Sequence, residues 1–172
     1  MMSVEPLYAL GIFTVTKRLE IFQTIIYEYY DPDQYYAELA ENVEDLENEL
    51  EEISANMQEI LDQEEVVING EKVRPKVTGI DLGFKGTPEE PFLAFFIYFK
   101  GKPRKGLNYY ENIYSAERSE YPYTAYWYFP RNFQVTAVQA SGTSQIINDH
   151  IVVIRVEEGE RISGYEKIEF EI

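Results

Sequence analysis

Apolar and polar positions alternate along most of this chain, and the step between apolar residues changes once. Leu7 to Thr16 is apolar and β-branched, interrupted by Gly11, and predicts a strand. Arg18 to Tyr30 fits two periods. Leu19, Phe22, Ile26 and Tyr29 would share a helix face, whereas Leu19, Ile21, Ile25, Tyr27 and Tyr29 would share a strand face. Its Ile, Tyr, Phe and Thr content favours the strand.

The period then lengthens. Tyr36, Leu39, Val43, Leu46, Leu50, Ile53, Met57 and Ile60 follow one another in steps of three and four, which predicts one long helix over 32–63 with a single apolar seam. Asp31 is placed to cap it, Pro32 to occupy its first position, and Gln34 to complete a capping box.

Beyond the helix the strand period returns. Val66-Val67-Ile68, Asn69-Gly70 and Val73 predict a tight hairpin, since Asn-Gly supplies the two positive φ angles of a type I′ turn. Pro75 suggests an edge. In Lys76 to Lys85, Ile80, Leu82 and Phe84 share one face, while Gly79 and Gly83 leave room for a bulky neighbour on the other. Phe92 to Phe99 is apolar on both faces and predicts a central strand covered on both sides. Lys100 to Pro122 carries no clear element. Two hairpins are then predicted, Tyr123 to Phe129 with Phe133 to Ala140, and Ile151 to Val156 with Arg161 to Ile172; the segment between them, Ser141 to Asp149, is polar and turn-rich. The resulting fold class is α+β: a mostly antiparallel sheet of about seven to nine strands packed against one long acidic helix.

Length and composition set the frame for this pattern. With 172 residues, 45% of them hydrophobic and 15% aromatic, the chain suits one globular domain with a sizeable core. Met1 to Leu10 contains Glu5, Pro6 and no basic residue, so no signal peptide is expected. No apolar run reaches membrane-span length, and the absence of cysteine suits a reducing compartment; the expectation is a cytoplasmic protein with no membrane partner. High Glu and Tyr without Cys is compatible with a thermophilic source.

Charge changes the picture more. The net charge is −16. From Leu19 to Glu71 there are 17 acids and no bases, while the remainder is near neutral. A negative rod on a balanced body disfavours nucleic acid and anionic membranes, and suits either a solvated face that aids solubility or a docking surface for a basic partner.

Three candidate surfaces follow. The first is the helix seam itself, whose spacing would serve either intramolecular packing or pairing between helices. The second is an aromatic set, Tyr109, Tyr110, Tyr123, Tyr126, Trp127 and Tyr128, suited to a ligand pocket or a partner surface. The third is the one basic cluster, Lys100, Lys102, Arg104 and Lys105, a candidate anion-binding loop without P-loop order. Asp149-His150 near Ser141 lacks a nucleophile elbow, and one His without Cys gives no soft-metal set, so neither catalysis, metal nor cofactor is expected. The favoured expectation is a non-catalytic interaction protein, binding itself or another protein. A small-molecule module with a Tyr/Trp-lined pocket for a phosphate-bearing or aromatic ligand is the alternative. An enzyme using carboxylate and Tyr chemistry beside the basic loop comes third.

Overall fold

A computed structural model describes residues 3–172; the first two residues of the N-terminal stretch discussed above lie outside it. In chain order the elements are β1 (Glu5–Val15), β2 (Glu20–Tyr30), α1 (Tyr35–Leu39), α2 (Val43–Gln63), β3 (Glu65–Ile68), β4 (Glu71–Val73), β5 (Lys76–Phe84) and β6 (Pro91–Lys100). They continue with β7 (Leu107–Ile113), β8 (Glu117–Arg118), β9 (Tyr123–Tyr128), β10 (Gln134–Gln139), β11 (Thr143–Ile147), β12 (Ile151–Val156), β13 (Arg161–Ile162) and β14 (Tyr165–Glu171).

The α+β expectation of one sheet under one long helix is overturned. Strands take 52% of the chain and helices 15%, and the longest helix has about 21 residues. A seven-stranded sheet, β11-β12-β9-β1-β2-β6-β5, faces a five-stranded sheet, β10-β14-β7-β3-β4, across a shared core; β13 and β8 form a small ribbon. All pairings are antiparallel except that of β1 with β9, which is parallel.

The predicted 32–63 helix is two helices. Asp31 does cap backbone, but through Oδ2 to the N–H of Tyr36 at 3.0 Å, and Gln34 turns away to donate to Glu89 at 2.7 Å. Gln34 adopts a left-handed conformation, φ 56°, so the short α1 begins after it. A fresh start follows at Asn42, whose side-chain oxygen accepts from the N–H of Asp45 at 3.1 Å.

The seam is correspondingly shorter than its spacing suggested. Tyr36 is buried on α1 and Leu39 half-buried, Val43 is 68% exposed, Leu46, Leu50 and Ile53 are half-buried, and Met57 is buried. At the last turn the buried residue is Leu61, and Ile60 is exposed. A straight helix turns about 20° per heptad away from a strict seven-residue repeat, so over three heptads the buried stripe moves on by one position. Without a helical partner to supercoil around, α2 follows its own 3.6-residue period.

Helix α2 lies along the edge strand β5 rather than over a sheet face. Gln58 accepts from the N–H of Val77 at 2.8 Å and donates to the Pro75 carbonyl at 3.0 Å, which satisfies backbone that an open edge would leave bare. Arg74 holds Asp62 with two bonds of 2.8 and 2.9 Å. Leu61→Ala should therefore cost about 2–3 kcal/mol, whereas Val43→Ala should change stability by less than about 0.5 kcal/mol, both read from urea melts.

Several strand expectations hold and several do not. Arg18 to Tyr30 is largely strand β2. Asn69 and Gly70 both have positive φ, 50° and 83°, as a type I′ turn requires. The glycines of β5 do make room: a Cβ on Gly83 would sit 2.3 Å from the Phe92 ring, and one on Gly79 would sit 3.3 Å from that of Phe96. The double cover predicted for Phe92 to Phe99 is absent, since Phe96 on the outer face is 42% exposed. Lys100 to Pro122 contains β7, a central strand of the second sheet. Neither predicted late hairpin exists. β9 and β12 lie in the seven-stranded sheet, while β10 and β14, their supposed partners, lie in the other. Each connection turns a corner between sheets, because the inward faces on both sides of it must reach one core. The polar stretch Ser141 to Asp149 supplies β11, paired with β12 at the sheet edge.

Candidate functional site

Alternation along the strands distributes the predicted aromatic residues over three surfaces. Tyr110, Tyr123 and Trp127 point between the sheets; Tyr126 and Tyr128, in the opposite phase of β9, lie on the outer face of the seven-stranded sheet. Tyr109 lies on the outside of the five-stranded sheet, with Lys167 Nζ 5.0 Å and the Arg104 guanidinium 5.9 Å from its ring centre. No single surface carries all six.

The basic stretch is an ordered loop held by the fully buried Asn108. That side chain accepts from the N–H of Arg104 at 3.0 Å and donates to the carbonyls of Arg104 and Gly106 at 2.7 and 3.0 Å. Lys102 faces Glu71 at 3.5 Å, and Arg104 Nε donates to the Leu107 carbonyl at 2.8 Å. Lys100 and Lys105 are exposed. Two of the four cations are thus already engaged within the fold.

A cavity of about 300 Å³ lies between the sheets, closed on one side by the C-terminal turns of α2. Its origin is a run of small residues. Ala9 and Gly11 of β1 and Ala125 of β9 face inward where neighbouring positions carry rings, with Ala9 opposite Tyr123 and Gly11 opposite Ala125. The aromatic wall includes Tyr27 and Tyr121, edge to face with ring centres 6.4 Å apart. Behind the lining sits Trp127, wholly buried, stacked on Phe13 at 4.1 Å and beside Tyr110 at 4.5 Å.

Three carboxyls line this space: the half-buried Glu64 and Glu166, and Glu117, which is exposed. Glu64 is the C-cap of α2, and Glu166 stands on β14 directly opposite Asn112 of β7. Asn112 bridges toward the first of them, its Nδ2 donating to Glu64 Oε1 at 3.0 Å. Burial raises the Glu64 pKa above the usual carboxylate range. Burial, with the Glu64 charge adding to it, pushes Glu166 up to about 7; the Trp127 indole acts weakly the other way. The phenols of Tyr27, Tyr110 and Tyr114 are raised chiefly by burial, as is that of Tyr123, to about 12. They stay neutral across the physiological range.

The polar groups here are incompletely paired. Trp127 Nε1 lies against the Glu166 carboxyl but outside hydrogen-bonding geometry, and Asn112 Oδ1 has no partner. Both are shut away from bulk water, and each unmade bond of this kind costs about 1–3 kcal/mol. Among the described residues lining the cavity there is no Lys, Arg or His. Nor do three or more carboxylate or imidazole side chains converge as a metal cage among the described residues. The arrangement can accept hydrogen bonds, hold positive charge and enclose an apolar body.

Sequence reasoning missed Glu64, Glu166 and Asn112. A signal for Glu166 exists: it is in phase with Ile168 and Phe170, so the alternation of β14 puts a carboxylate on an apolar face. Glu64 was hidden among the helix acids. Of the hydrolytic elements, the Ser141 hydroxyl pairs with Ser163, and His150 bonds the Asn148 carbonyl through Nδ1 at 2.5 Å.

No family model matches the chain, and no curated protein matches it. Among solved structures it is similar to a chain from Parabacteroides distasonis ATCC 8503, described as a candidate protease, at 6% identity and a TM-score of 0.32. That likeness covers 99% of this chain but only 41% of the other. Among the described residues no helix is long and apolar enough to cross a membrane.

Proposed function

We propose that this protein is a small-molecule binding module whose site is the cavity between its sheets. The observation that carries this reading is the pairing of a half-open cavity of about 300 Å³, at the lower end of the range for ligand pockets, with Asn112, whose Oδ1 is unpaired, among the residues that line it. A core selected for stability alone would fill the hollow beside Gly11 and Ala125 and would pair Asn112 Oδ1 and Trp127 Nε1. Trp127 gives a built-in reporter, since it is the only Trp. A ligand panel should contain compounds that quench its emission and, at about a hundredfold over Kd, stabilise the fold by about 2.7 kcal/mol. Ala125→Leu, which fills the hollow, should abolish both responses while leaving the protein folded. A panel of small cations, sugars, nucleosides and acids that produced neither response would sink the reading.

A second reading, self-association, is favoured by the outer face of the seven-stranded sheet. Ile12, Phe22, Phe96 and Tyr128 are 36–49% exposed there, in adjacent rows of β1, β2, β6 and β9. Exposed apolar area of this continuity marks association surfaces. The helix seam serves this reading less well, because Met57 and Leu61 are taken up by the chain's own core. Sedimentation over a concentration series should show dimers that Phe22→Glu with Phe96→Glu abolishes; a monomer throughout would exclude this reading.

A further inference from the structure

Resting on the cavity reading above, we propose that the ligand class is a primary or secondary ammonium on an apolar or aromatic frame, its charged head held between Glu64, Asn112 and Glu166. Four independent features select this chemistry. The first is the sign of the site: Glu64 and Glu166 face the cavity, Glu117 joins them in the lining, and no basic side chain among the described residues offsets them. An anionic ligand would enter a space already negative, and a neutral one would leave the carboxyls without partners.

The second feature is the position of α2. Its C-terminal turn, Leu61 to Glu64, closes the cavity, and that end of a helix carries the negative pole of the dipole, where cations are favoured and carboxylates are not. The third is the wall. The rings of Tyr27, Tyr110 and Tyr123 line the cavity, where a cation set against a ring is better sheltered than on an exposed surface.

The fourth is an orphan acceptor on a lining residue, which explains why the head must carry N–H bonds. Asn112 Oδ1 is an acceptor with nothing to accept from. An ammonium donor bound between it and the two carboxyls supplies that bond, and a quaternary ammonium could not. The ligand head thus gives Asn112 Oδ1 a donor that the fold itself does not supply. The apolar remainder of the cavity, around Phe13, Ile25, Leu61 and Val66, fits a hydrocarbon or single-ring frame.

The same groups make binding depend on pH. Glu166 faces Glu64 from the end of α2 and Asn112 from β7, while the surrounding phenols from β2, β7 and β9, together with Tyr114 and Tyr121, are all shifted upward and carry no charge near neutrality. Of the three carboxyls in the lining Glu117 is exposed, so Glu64 and Glu166, the half-buried pair, are the ones whose protonation the ligand feels most, and protonated Glu166 disfavours it.

The test titrates the full chain with benzylammonium, with benzyl alcohol as its neutral near-isostere and with benzoate, following Trp127 emission at about pH 8 and physiological salt. Benzylammonium should bind at least about tenfold more tightly than benzyl alcohol, and benzoate should not bind. Its affinity should fall by about tenfold or more between pH 8 and pH 5.5. Glu166→Gln should lose about tenfold and flatten the pH dependence, whereas Glu44→Gln, on the exposed side of α2, should bind as the parent does. Equal binding of benzyl alcohol, or tighter binding of benzoate, overturns the ammonium assignment and leaves the cavity as a ligand site. An equal loss in Glu44→Gln overturns it too, by showing attraction to the acidic chain as a whole. Silence from all three probes overturns the assignment and counts against the cavity reading with it.

Discussion

Glu166→Gln should make the ligand-free protein more stable, by about 2–3 kcal/mol near pH 8, which for a chain of this size is roughly 5–10 °C in Tm. The cause is the cost of ionising a carboxyl inside the sandwich. Its folded pKa is pushed from the usual 4.5 to about 7 by burial first and by Glu64 second. Between those two values the folded state keeps a proton that the unfolded state releases. Unfolding therefore gains as pH rises: this contribution is neutral below 4.5, becomes steadily unfavourable up to about 7, and stays at its full size above that. The lower end of the range allows for water reaching the carboxyl through the cavity mouth. Gln keeps the shape and removes the charge, so the variant's stability should no longer fall across that interval, except for the smaller share owed to Glu64. Melts at half-unit pH steps check this. A variant as unstable as the parent at pH 8 would show that Glu166 ionises there without penalty.

Trp127→Ala should have the opposite and larger effect, a loss of about 3–5 kcal/mol. The ring is fully buried, stacked on Phe13 with an interplanar angle of 1°, and flanked by Phe129 at 5.8 Å and Tyr110 at 4.5 Å. Removing it joins its volume to a cavity that is already present, so the surrounding rings have little support from which to collapse inward. Phe at this position keeps most of the packing and removes the unpaired N–H, and should cost about 1 kcal/mol or less. Urea melts of the two variants separate packing from the indole dipole. Similar losses in both would place the energy in the N–H rather than the ring.

The two effects define a common tension. By these expectations a sandwich with a net charge of −16 becomes more stable when one residue is neutralised, and it carries a hollow beside Gly11 and Ala125. Natural proteins keep local stability losses of this kind where a site requires them. Here the loss is concentrated at Glu64, Asn112, Trp127 and Glu166, which is why the cavity, rather than the acidic helix, is the centre of the functional reading.

Much of this molecule's local structure was legible along the chain. The strand period of Leu7 to Thr16 and Lys76 to Lys85, the Asn69-Gly70 turn and the room left by Gly79 and Gly83 each depend on a few neighbouring residues, and each is present. The three-four spacing of α2 was legible too, but its use was not. Only the edge of β5, meeting it through Gln58, and the core that takes up Leu61 select which line of that helix is buried.

What the chain alone determines, then, is phase: which residues of a strand share a face, and so that Glu166 travels with Ile168 and Phe170. What only the tertiary structure decides is partnership. β9 with β1, β14 with β7, and the corners that send β10 and β14 to the second sheet join segments far apart in sequence. No local period encodes those choices, because each is settled by burying many inward faces together in one core. The cavity exists only at that level, since Glu64 and Glu166 stand about a hundred residues apart and meet only once both sheets have closed.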